Sequence, residues 1–181
     1  MTDTHGLSLS KVLVLTQWDK IVLTMLATCL LPLFVHALPS FVATDVGKSW
    51  LPIFYAPLIA GLCWRPHVSL LAALLAPAVN HLFFGMPDSR ALPVLSFELF
   101  VFNAIIILVA RRWRSSVWSV LPIFVLTRAM SVMIFGHLTA PELADMLLRS
   151  LNAALPGMIM LMIIAAIVNL LKRGAHDQAG I

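Results

Sequence analysis

Charge is scarce in this sequence. Asp, Glu, Lys and Arg make up 11% of its 181 residues, where a soluble domain carries about a quarter. So thin a charged complement excludes an ordinary water-soluble domain. Cysteine is nearly absent too: Cys29 and Cys63 each sit in an apolar segment, without the spacing of a disulfide framework or a zinc site. Catalytic signatures are missing: there is no HExxH, no GxSxG, no phosphate loop and no carboxylate pair. No enzyme activity, cofactor or metal is therefore expected. The excess of basic over acidic residues, twelve against eight, suits cytoplasmic loops and requires no nucleic acid.

Apolar runs are what the sequence has in quantity. Hydrophobic residues make up 61% of the chain, with a mean hydropathy of +0.98. In lipid every backbone polar group must be satisfied internally, so long apolar runs mean helices rather than a barrel. The expected fold is an all-α integral membrane protein with six transmembrane helices. Residues 1–18 form an N-terminal cytoplasmic segment, 19–173 the six-helix membrane domain and 174–181 a cytoplasmic tail. The start of the chain is too polar for a cleaved signal peptide, so the first helix is expected to be retained. The spans fall near 20–38, 50–64, 68–85, 91–110, 115–136 and 143–171. Lys11, Lys20, Arg65, Arg111, Arg112, Arg114, Lys172 and Arg173 fall on one side, and only Lys48 and Arg90 on the other. That asymmetry puts both termini inside, and the expected location is the inner (cytoplasmic) membrane. The short second span, with Pro52 and Pro57, is open to a tilted or half re-entrant course.

The stretch 91–114, ALPVLSFELFVFNAIIILVARRWR, organises the rest. Glu98 lies inside it, and an ionisable group at membrane depth costs at least ~2.5–3.5 kcal/mol on insertion scales. Arg128 lies in the fifth span at matching depth, on the order of 10–12 Å below the outer surface at 1.5 Å per residue. An ion pair between them follows, either as a clamp between helices or as a pair that also touches ligand. Arg149 and Asn152, three residues apart, share one face at the start of the sixth span. Arg149 either bonds Asp145 one turn back or meets ligand, and Asn152 is either interhelical glue or a ligand contact. Asn80 and His81 lie near the outer end of the third span and His36 near that of the first. Asn103 reads as packing. Polar groups thus gather in the outward half, which suits a pocket opening outward better than a continuous proton path.

Several of these runs resemble a known family. LPIFYAPLIAGLCWRPHVSLLAALLAPAVNHLFFGMP, then LPVLSFELFVFN with its basic cluster, LTRAMSVMIFG and ALPGMIM are similar to the substrate-binding (S) components of energy-coupling factor (ECF) vitamin transporters. The similarity spans roughly residues 50–171. It implies a non-enzymatic subunit that binds a water-soluble vitamin or related micronutrient from outside. It also implies partners, namely a transmembrane coupling subunit and two ATPases. The pocket it implies uses Met86 and Pro87, Glu98, Arg128, and Asn152 with Pro156 and Gly157 below it, with the 39–49 loop as a lid. One departure concerns docking: the first helix has Thr24 and Thr28 where many members carry two alanines. Two other readings stand beside this one, a membrane scaffold resembling the rod-shape protein MreD and a solitary carrier without an ATPase module. Folate, pantothenate, a pyrimidine precursor of thiamine, cobalamin and haem all remain open as ligands.

Overall fold

The computed structural model describes residues 16–36, 49–112, 117–136 and 140–179. They form six helices and, among the described residues, no strand. Helix α1, Gln17–His36, opens with a reciprocal capping box: the Thr16 amide donates to Asp19 Oδ2 at 2.8 Å, and the Asp19 amide donates back to Thr16 Oγ1 at 3.3 Å. A 3₁₀ turn, Pro52–Phe54, leads into the short α2, Tyr55–Cys63. Pro66 starts α3, Pro66–Phe84, at a position where the missing amide hydrogen is no loss. Gly85 ends it in the left-handed conformation, φ 69°, its amide donating to the His81 carbonyl at 2.9 Å. Helices α4, Leu92–Arg112, and α5, Val120–Phe135, follow, then α6, Ala140–Ala179. At 40 residues α6 is about 60 Å long and runs past both ends of the expected 143–171 span.

Among the described residues, four helices are long and apolar enough to cross a membrane: α1, α3, α4 and the Ala144–Gly174 part of α6. The apolar helices Pro52–Cys63 and Val120–Phe135 are shorter than the roughly 17–25 residues a perpendicular crossing needs. The expected N-terminal segment, the 39–49 lid, Arg114 and Lys48 lie wholly or almost wholly outside the described residues.

Short α2 forms the middle of the bundle. It packs against α1, α3, α4 and α6, while α1–α3, α3–α4, α4–α5 and α5–α6 pair around it. Three rings meet edge-on where the elements converge. Phe54 lies 5.5 Å from Phe102 and 5.6 Å from Phe124, centroid to centroid, the T-shaped geometry aromatic quadrupoles favour. Leu58, Leu99, Ile106 and Leu161 are fully buried around them. The outward faces are apolar as well, with Trp18, Leu82, Phe83 and Trp118 largely exposed. Such a surface fits a lipid solvent, whose tails are as apolar as the side chains.

Two features admit little substitution. Gly157 on α6 passes so close to the chain before α2 that a Cβ there would lie 2.7 Å from Leu51 Cγ and 2.8 Å from the Ser49 carbonyl oxygen. Leu51 itself takes a left-handed conformation, φ 54° and ψ 39°, which costs a non-glycine residue on the order of 1–2 kcal/mol. The turn into α2 is thereby held against α6.

One polar node was not expected in the half of the bundle bearing Arg65, Arg111 and Lys172. The Ser69 hydroxyl of α3 lies 2.8 Å from the Pro57 carbonyl of α2 and 3.1 Å from Asn103 Oδ1 of α4. Asn103 Nδ2 donates to the Leu99 carbonyl at 2.8 Å. This half is therefore not uniformly apolar: three helices are joined there by a shared buried hydroxyl.

Candidate ligand-binding site

The seventh residue of α4 and the eighth from the end of α5 meet at one height, as equal depth requires of Glu98 and Arg128. Arg128 Nη1 lies 2.7 Å from each Glu98 carboxylate oxygen. Glu98 is 3% exposed and Arg128 22%, so the carboxylate is the deeper partner. The guanidinium carbon also stands 5.7 Å from the centroid of Phe124, a cation–π contact that ties the pair to the aromatic core. The pair leaves capacity unused. Arg128 Nε, Thr127 Oγ1 beside it and Ser96 Oγ on α4 are buried without a hydrogen-bond partner.

A cavity of about 400 Å³ lies at the same end of the bundle but in a different sector. Its walls come from α1 (Cys29, Pro32, Leu33), the entrance to α2 (Pro52, Ile53) and the end of α3 (Asn80, Phe84). The α3–α4 turn and the first turns of α4 complete it, with Met86, Asp88 and Leu95. Asn80 is 6% exposed, and its Oδ1 has no partner. His81 faces the turn: its Nδ1 lies 2.8 Å from the Pro87 carbonyl, holding the Met86–Pro87 segment over the end of α3.

The sequence-predicted residues thus divide. Asn80 and Met86 line the cavity, and His81 braces the turn that roofs it. Glu98 and Arg128 join each other in the α4–α5 seam and are not among the cavity's walls. Arg149 bonds Asp145, Nε to Oδ2 at 2.9 Å, with its side chain 80% exposed, the first of its two expected arrangements. Asn152 is exposed on α6 and is not among the cavity's walls. His36 ends α1, but its side chain is outside the described set. Cys29, Pro52 and Ile53 were not anticipated as walls. Apolar residues in apolar spans carry no local sign of facing a cavity.

Cys29 and Cys63 are free thiols. Among the described residues, no three His, Cys, Asp or Glu side chains are grouped to hold a metal ion. No family model, curated protein or solved structure matches this chain. Its helices and surface define a class, a multi-pass all-helical membrane protein.

Proposed function

We propose that this chain is a substrate-binding subunit for uptake of a water-soluble vitamin or related micronutrient. It takes ligand from outside and delivers it inward with an energising module of one membrane coupling subunit and two ATPases. In this reading all six helices cross the inner membrane, α2 and α5 by tilting or local thinning, and both termini are cytoplasmic. The charge distribution supports that orientation: Lys20, Arg65, Arg111, Arg112, Lys172 and Arg173 mark one end of the described bundle and Arg90 the other.

The observation that carries the reading is the cavity of about 400 Å³ walled by the end of α3 and the Met86–Pro87 turn. Its size falls within the range of small-molecule sites, roughly 300–1,000 Å³. It lies at the end of the bundle without the basic cluster, where a ligand arriving from outside would enter. The Glu98–Arg128 pair lies outside that cavity, so its part in this reading is either a clamp between α4 and α5 or a separate ligand contact.

The test is mass spectrometry of small molecules released on denaturing gently purified protein. A stoichiometric vitamin-like mass is expected, because sub-micromolar affinity survives purification dilution. Protein that is empty after growth in rich medium, yet brings down other membrane proteins, would favour the MreD-like scaffold. Uptake that continues without any ATPase partner would favour the solitary carrier.

A further inference from the structure

Asn80 is an unusual wall residue, a carboxamide more than nine-tenths buried whose oxygen meets no donor in the protein. Buried polar groups are as a rule hydrogen-bonded, so such an atom needs a partner from elsewhere. Its neighbours are already engaged. His81 Nδ1 is directed to the Pro87 carbonyl at 2.8 Å, and the Cys29 thiol to the Ala76 carbonyl at 3.9 Å. The walls around Asn80 are otherwise largely apolar, with Pro32, Ile53, Phe84 and Leu95. The charged exception, Asp88, is exposed on the turn.

A cavity of this make-up suits a ring with apolar faces and one polar edge. A carboxamide presents an acceptor and a donor side by side in one plane. Whichever way the amide is turned, its complement is an edge with an adjacent donor and acceptor. Asn reads adenine by the same pairing. We propose that the cavity between α1, α3 and α4 binds a small nitrogen heteroaromatic or cyclic amide whose adjacent donor and acceptor pair with the Asn80 carboxamide. The proposal deepens the uptake reading above and rests on it for the ligand's origin. It assigns specificity to α3, on the side of α4 away from the Glu98–Arg128 seam.

The test uses the full chain purified in detergent and two probes, 4-aminopyrimidine and 4-(dimethylamino)pyrimidine, which lacks the N–H. Equilibrium dialysis should show saturable binding of the first probe to the wild type. Binding should weaken by at least about tenfold for Asn80→Leu, and similarly for the second probe on the wild type. Leucine is similar in size and leaves no amide to satisfy, so the variant should unfold at a temperature no lower than the wild type. Equal binding of 4-aminopyrimidine to both proteins, equal binding of both probes to the wild type, or no saturable binding would each overturn the assignment. The probe comparison on wild-type protein does not depend on how the variant folds. Failure here is separable from failure of the uptake reading. A vitamin-like molecule released equally from wild type and Asn80→Leu removes Asn80 from the site but leaves uptake standing. Probe binding through Asn80 in a protein that carries no such molecule keeps the site and removes the support for uptake.

Discussion

Arg128 holds Glu98 through a single nitrogen, Nη1, placed 2.7 Å from both carboxylate oxygens. This end-on arrangement leaves Nε without a partner. Removing Arg128 strands the buried Glu98 carboxylate, so Arg128→Met alone should destabilise by about 3–5 kcal/mol, and Glu98→Leu, which leaves a partly exposed guanidinium, by less. The double variant should recover most of that loss. Thermal unfolding in detergent measures all three, and single variants as stable as the wild type would show that the pair holds nothing. Ligand retention then separates the two roles left open for it. If Arg128 touches ligand, the restored double variant still fails to retain it; if the pair is only a clamp, retention returns with stability.

Gly157 admits no side chain where Leu51 and the Ser49 carbonyl press on it. Gly157→Ala should therefore cost about 1–3 kcal/mol through forced displacement. It should also weaken ligand binding, because Pro52 and Ile53, immediately after the displaced segment, wall the cavity. A melting temperature equal to that of the wild type would show that the contact has room to spare.

Ser69 should behave differently. Ser69→Ala removes the hydroxyl that bridges the Pro57 carbonyl and Asn103, an interhelical hydrogen bond worth roughly 0.5–1.5 kcal/mol. Ser69 and Asn80 lie about 16 Å apart along α3, so ligand retention should be unchanged. Loss of ligand without loss of stability would contradict the separation of node and cavity.

Orientation can be read by labelling single cysteines in a background where Cys29 and Cys63 are replaced. Ser89→Cys, exposed on the α3–α4 turn, should react with an impermeant maleimide on intact cells. Gly174→Cys, with open space around it, should react only after permeabilisation. The reverse pattern would invert the charge-based topology.

The sequence by itself determined the solvent and the helices. So few charges among so many apolar residues leave only a membrane, and there hydrogen bonding within each segment leaves only helices. The matched depths of Glu98 and Arg128 were legible because rise per residue is a local quantity and a buried charge demands a partner. Arg149 with Asp145 was legible for the same reason, as an i, i+4 pair on one helix. The tertiary structure alone decided how the helices are arranged around α2, because that depends on packing between residues far apart in sequence. Nothing near Gly157 announces that the chain at Ser49 will pass within van der Waals distance of it. Nothing in Cys29, Ile53 or Leu95 distinguishes a cavity wall from a packed core, since all are apolar and their environment is set by other helices. The same physics separates Asn80 from Glu98. Both are polar groups near one end of the bundle, but the angular position of α3 and α4 against α1 and α5 turns one into a cavity wall and the other into a partner for Arg128.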